Sequence, residues 1–289
     1  MQVTMRSRHG RAGFTLIELL VAMVLMGIIG AVTMRLMVNM QRGSRAQSQL
    51  VSLQGSMRAG ISLLPSELRE ISAGDVLIAD ADRIRYRAMR STGVACQVTT
   101  TQVTLRNSLL FGFRPVEAVR DGVFLFVDDN IANAGDDTWR RLLVTGVAAS
   151  TCPDGAAATQ LTVLDAVTNA AMDQIAVVDK VKIEAPVRAY EVMEFRLYEA
   201  DGRFWLGGQS LSTVGSQVEP VLGPLTANGL VFTYRDRAGA QTGVLADIRM
   251  IEIALNGETE APITTGSYYN MIEEDSLTAR VRLRNAPAF

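Results

Sequence analysis

Residues Phe14–Met34 read FTLIELLVAMVLMGIIGAVTM, an apolar run of 21 residues interrupted by one charge, Glu18. Coiled as a helix at about 1.5 Å per residue, the run reaches roughly 31 Å, the thickness of a bilayer hydrocarbon core. Arg6, Arg8 and Arg11 precede it without an acidic residue, so the positive-inside rule leaves the leader in the cytoplasm and exports everything after Met34. Arg35, Arg42 and Arg45 follow on the far side and weaken that bias. A secretory signal would have a shorter apolar core and an A-x-A site after it, and neither is present. Glu18 is the anomaly. A carboxylate so far into a hydrophobic span costs on the order of 3 kcal/mol even on lenient insertion scales. It therefore calls for a cationic partner, and the span offers none.

The run does not stop at Met34. No proline occurs between Phe14 and Leu64, and Met37, Met40, Leu50, Leu53, Met57, Ile61 and Leu64 recur mostly at spacings of three or four. That stripe, with Gln41, Arg42, Arg45, Gln47, Gln49 and Gln54 on the other side, predicts an amphipathic continuation packed on a globular head. Gly27, Gly30, Gly43, Gly55 and Gly60 should soften the helix, each by about 1 kcal/mol relative to alanine. Pro65 is expected to break or kink it, with Ser66 capping a short further turn.

Beyond Gly74 short strands separated by turns take over. DVLIAD and DRIRYRAMR read as a hairpin, followed by strands near 94–99, 102–106, 123–127, 141–146 and 160–164. A second group is expected at 178–183, 187–198, 203–206, 229–234, 248–255 and 277–284, with Asp201-Gly202 and Asn256-Gly257 as hairpin turns. No amphipathic helices alternate with these strands, so the sheets should be antiparallel with one covered face. The expected class is α+β: a leader over 1–13, a membrane helix over 14–34, its amphipathic continuation over 35–72, and a β-rich head over 75–289. A division of the head near 178 is expected.

The composition excludes more than it suggests. At 289 residues, 48% hydrophobic and 20% charged, the chain is too apolar for a disordered protein. Its one histidine, His9, lies in the leader, so the rest of the chain cannot supply a Ser-His-Asp or Cys-His nucleophile. Two cysteines are too few for a zinc site, and no phosphate-binding glycine loop opens a helix. No enzymatic activity, cofactor or metal is expected. Cys96 and Cys152 lie on the exported side, where disulfides persist, and are expected to pair, the alternative being two buried free thiols. The loop VDDNIANAGDDTW gathers Asp128, Asp129, Asn130, Asp136 and Asp137 without EF-hand spacing. It reads as a solvated acidic loop, with calcium the alternative. Arg83, Arg85 and Arg87, and again Arg280, Arg282 and Arg284, form ladders on strand faces. Without its leader the chain has five more acidic than basic residues, which argues against direct nucleic-acid binding and for arginines paired with acidic neighbours.

The stretch RAGFTLIELLVAMVLMGIIGA (11–31) resembles the class III signal of type IV prepilins and type II secretion pseudopilins. The resemblance implies cleavage by a prepilin peptidase between Gly13 and Phe14 and N-methylation of Phe14. It also implies that Glu18 is the acid which meets the Phe14 ammonium of a neighbouring subunit. A buried pair offsets much of a desolvation cost that a lone carboxylate cannot. EFRLYEADGRFWL, LGPLTANGLVFTYRDRAG, IRMIEIAL and LTARVRLRN are similar to the C-terminal pattern of PilW-like minor pilins, with the GspJ-type minor pseudopilins sharing the scheme. The implied role is a minor pilin held in the bacterial inner membrane, then assembled with minor and major pilins by an inner-membrane platform, near the tip or in the priming complex. A pseudopilin of a type II secretion system, or a single-pass anchored binding protein that never polymerises, are the alternatives.

Overall fold

The computed structural model describes residues 15–128, 137–182, 184–265 and 268–284. Helix α1 (Leu16–Leu68) is continuous over 53 residues, about 80 Å at 1.5 Å per residue. Every residue from Thr15 to Arg45 is exposed; burial begins at Ala46 and continues at Leu53, Met57, Gly60, Leu64 and Leu68. The apolar stripe therefore contacts the head only in its second half, and Met37 and Met40 stand outside it. Pro65 does not break the helix as expected. The Arg69 N–H still closes on the Pro65 carbonyl at 3.0 Å, and the Ser66 hydroxyl donates back to the Leu63 carbonyl at 2.7 Å instead of capping a new turn. A proline near the end of a packed helix loses one hydrogen bond, and the burial of Leu64 and Leu68 on either side outweighs that loss.

Strands β1 (Val76–Ala79) and β2 (Arg83–Val98) form the expected hairpin. They are followed by β3 (Gln102–Arg106), β4 (Phe111–Gly112), β5 (Gly122–Val127), β6 (Thr138–Thr151) and β7 (Ala157–Asp165). Then come β8 (Ala185–Ala200), β9 (Arg203–Ser210), β10 (Glu219–Arg235), β11 (Met250–Glu258), β12 (Ile263–Thr265), β13 (Tyr268–Met271) and β14 (Glu274–Arg282). All pairings are antiparallel. The strand expected at 178–183 is instead a 3-10 turn, Val178–Lys180, with Ile183 outside the described residues.

Two cores share one pair of long strands. β1 and the first half of β2 join the second half of β8 with β9, β10, β11 and β14 in a sheet whose inner face covers α1. The later half of β2 pairs in turn with β3, then β7, β6, β5 and the first half of β8, which returns to β2. This ring of six strands is closed, and its interior holds Val103, Leu125, Leu142, Leu161, Val163 and Val187. The crossing from sheet to barrel lies at a β-bulge, where Met89 faces Tyr190 and Ser91 faces Ala189, leaving Arg90 as the extra residue. Before it Ile84, Tyr86 and Ala88 face the helix; after it Ala95 faces the barrel. The extra residue shifts the alternation from even to odd, so both cores lie on one side of the unbulged β8.

Turn chemistry explains the remaining boundaries. Asp201 and Gly202, with φ of 53° and 71°, supply the two left-handed positions of a tight hairpin between β8 and β9. Asn256-Gly257 makes no turn and lies inside β11. A Cβ on Gly257 would come within 2.6 Å of Met57 Sδ, so this glycine serves the close approach of α1 to the sheet.

Cys96 and Cys152 are joined, S–S 2.07 Å, tying the end of β2 to the β6–β7 turn across a loop of 56 residues. Closing that loop should stabilise the head by about 4 kcal/mol through the unfolded chain. Denaturant unfolding of the full chain in micelles is expected to lose about that much stability on reduction. Equal stability of the oxidised and reduced forms would refute the estimate.

Candidate assembly helix and the waist behind it

The stem of α1 is without cover, apolar from Leu16 to Met34 and mixed from Arg35 to Arg45. From Leu16 to Arg45 it extends about 45 Å from the head at 1.5 Å per residue, with Leu16, Met26, Met34 and Met40 each more than two-thirds exposed. Such a surface is unstable in water and calls for lipid or for neighbouring helices. Its start is well formed. Thr15 is the N-cap, its hydroxyl accepting the Glu18 N–H at 3.3 Å, and the Leu19 N–H donates to the Thr15 carbonyl. Thr33, the one other hydroxyl in the span, donates to the Ile29 carbonyl at 2.8 Å and so meets the apolar surroundings satisfied. The Glu18 carboxylate has no ion pair among the described residues. Gly13 and Phe14 lie outside them.

Where α1 ends, a charged cluster that the sequence did not single out joins the helix, the sheet and the barrel. Glu191 of β8, 2% exposed, receives Arg90 at 3.3 Å and Arg120 at 3.1 Å, and is also bonded by Arg114. Arg114 is bidentate on buried Asp121, 2.6 Å to each oxygen, and Asp121 also accepts the Glu117 N–H at 2.8 Å. Arg90, delivered by the bulge, reaches Glu67 of α1 at 3.2 Å, and Tyr86 donates to the same carboxylate at 3.3 Å. Burial alone would raise the Glu191 carboxyl; the hydrogen bond from Arg114 and the charges of Arg90 and Arg120 outweigh it and hold the group below the ordinary carboxylate range. The loop that carries Arg114 and Arg120 holds Val119 at φ 68°, a strained conformation for a β-branched residue, with its N–H on the Val144 carbonyl at 2.7 Å. No local sequence signal marks this cluster, because its members are scattered from Glu67 to Glu191.

The arginine ladders divide. Arg83 pairs with Asp80, and Arg85 reaches Glu194 at 2.7 Å. Arg87 lies over the rings of Phe124 and Tyr190, 6.0 and 5.8 Å from their centroids. Arg280 pairs with Glu252 at 2.5 Å, whereas Arg282 and Arg284 have no ion pair among the described residues. Most of the acidic loop lies outside the described residues, from Asp129 to Asp136, and with it the calcium question.

Residues 8–34 match the family model of the prokaryotic N-terminal methylation motif. No curated protein and no solved structure matches the chain. The motif supports a pilin- or pseudopilin-type protein, and the long apolar helix and antiparallel head agree with it. A motif of this type implies processing by a prepilin peptidase, anchoring by the apolar helix and assembly with other pilins.

Proposed function

We propose that the chain is a PilW-like minor pilin of a type IV pilus, cleaved after Gly13, methylated at Phe14 and assembled through α1. In this reading it enters the filament near the tip or in the priming complex and catalyses no reaction. The observation that carries the reading is the bare stem: about 45 Å of exposed helix, apolar from Leu16 to Met34, whose one carboxylate, at its start, has no ion pair among the described residues, continuous with a helix half packed on a head. A plain anchor needs the length but not the acid. The size of the head supports a minor role, because a barrel inserted beside the helix-packed sheet would crowd a thin filament if every subunit carried it. In the membrane the leader is cytoplasmic and the head exported, which also suits the disulfide.

N-terminal sequencing and intact mass of the protein purified from cells with a working pilus apparatus test the reading. The expected chain starts at N-methylated Phe14. A chain still starting at Met1 in such cells would remove the proposal.

A further inference from the structure

We propose that the outer face of the barrel binds a phosphate group, free or as a terminal monoester, between Arg87, Arg141 and Arg188. Strand register brings the three together from distant parts of the chain. Phe124 of β5 faces Arg141 of β6 on one side and Arg188 of β8 on the other, so the two arginines stand roughly 10 Å apart at about 4.8 Å per strand. Their chain neighbours Leu125, Leu142 and Val187 line the barrel interior, so Phe124, Arg141 and Arg188 lie on its outside. Arg87 leans in from β2, its guanidinium 6.0 Å from the Phe124 ring centre and 5.8 Å from that of Tyr190.

The floor beneath these arginines is built of rings. Phe124 and Tyr190 are both buried and pack at 4.8 Å between centroids, and Arg188 lies 5.7 Å over Trp139. Gly122, facing Tyr190, leaves room for its ring, since a Cβ there would come within 2.5 Å of it. Guanidiniums stacked on such rings are held in place with N–H groups to spare. What the face lacks is a counter-charge. Arg87, Arg141 and Arg188 are all half-buried, yet none has an ion pair among the described residues, whereas Arg85 and Arg90 on the same strand reach Glu194 and Glu191. Arg87 gives one N–H to the Gly74 carbonyl at 2.9 Å. Burial first, and then the charge of Arg141, lower the Arg87 guanidinium from its ordinary value, as two neighbouring cations should. Asp75 also bears on Arg87, but its buried carboxylate already accepts the Ser72 N–H at 3.0 Å and hydroxyl at 2.8 Å. Asp137, just before β6, has a partner of its own.

Partly desolvated cations without a counter-ion are costly, and an anion placed among them offsets the cost. Its shape follows from the approach. The guanidiniums come from three strands and so from different directions. A carboxylate offers two oxygens in one plane, suited to a single fork, whereas a phosphate offers a tetrahedral set of oxygens and nearly two charges at about pH 7. The Gly74 contact places the site beyond the end of α1, roughly 50 Å past Met34 at about 1.5 Å per residue, out of reach of headgroups of a membrane around the apolar run. The sources that fit are phosphate in solution and phosphate carried on a saccharide. The inference does not rest on the pilus reading, because the site can be measured in chains that never enter a filament.

The test is calorimetry on the full chain in micelles of an uncharged detergent, at constant ionic strength. Inorganic phosphate and glucose 1-phosphate are the two titrants. Saturable binding at a single site is expected, at least tenfold weaker in Arg141→Gln and in Arg188→Gln, with acetate failing to compete. The tighter titrant identifies the source, free phosphate or phosphate on a sugar. Both side chains lie outside the barrel, so the variants should keep the disulfide. Without phosphate, Arg141→Gln should melt no lower than wild type, since it relieves a like charge beside Arg87; a lower melting temperature would make Arg141 structural and count against the site. No saturable heat up to about 10 mM of either titrant, unchanged affinity in both variants, or acetate competing as well as phosphate would each overturn the proposal. So would an oligonucleotide without a terminal phosphate that binds more tightly than either titrant.

Discussion

Glu18→Ala is expected to reduce incorporation into the filament by two orders of magnitude or more, while membrane insertion and the folded head stay as in wild type. Removing the carboxylate lowers the cost of inserting the helix into lipid, by about 3 kcal/mol on insertion scales, so the stored form gains. Assembly loses. In the proposed filament the change would leave the Phe14 ammonium of a neighbour in a low-dielectric core without its counter-ion, and breaking one side of a buried pair costs about 3–5 kcal/mol. The head cannot feel the change, because no residue of α1 before Ala46 is buried against it. The measurement is the ratio of subunit in sheared filaments to subunit in membranes, with disulfide formation as the check on folding. An anchored protein that never polymerises would show no effect, and equal ratios for variant and wild type would favour it.

The second large effect is expected at the waist. Glu191→Ala should destabilise the head by about 1–3 kcal/mol, since Arg90, Arg114 and Arg120 lose the buried carboxylate they share and keep only Glu67, Asp121 and Glu117. Glu191→Gln keeps the shape and some hydrogen bonds and should cost less. The pH dependence has a definite sign. The folded carboxyl titrates below its ordinary value, so the stability it supplies is complete above the unfolded value of about 4.5 and is lost as pH falls through the lower folded value. Wild type should therefore weaken steadily on acidification below about pH 4.5, and the glutamine variant should lack that part of the slope. Denaturant midpoints measured between pH 3 and 7 decide it. A Glu191→Ala midpoint equal to that of wild type would show that Glu67, Asp121 and Glu117 suffice for the three arginines.

What could be read in the chain differs by the range of the interaction that sets it. The apolar run, its lone acid and the glycine before Phe14 are local, and so are the alternation in β1 and β2 and the Asp201-Gly202 turn. Hydrophobic length and turn chemistry act over a few residues, and these readings agree with the structure wherever it describes them. Asn256-Gly257 has the same local signature as Asp201-Gly202 and a different fate, because Met57 and Leu53 require a residue without a Cβ there. Pro65 likewise looks like a helix end until the buried Leu64 and Leu68 carry the helix past it.

By itself, then, the sequence determined that this protein is a membrane-length helix bearing one misplaced charge, followed by an antiparallel β head with two cysteines. Only the tertiary structure decided that β2 and β8 serve two cores, that a single extra residue at Arg90 turns one sheet into a closed barrel, and that Glu191 lies where helix, sheet and barrel meet. It also set the charges of β11 and β14 in register. The reason is physical. Period and propensity are properties of neighbours along the chain, whereas closure of a barrel and burial of an ion cluster depend on which distant strands are brought side by side.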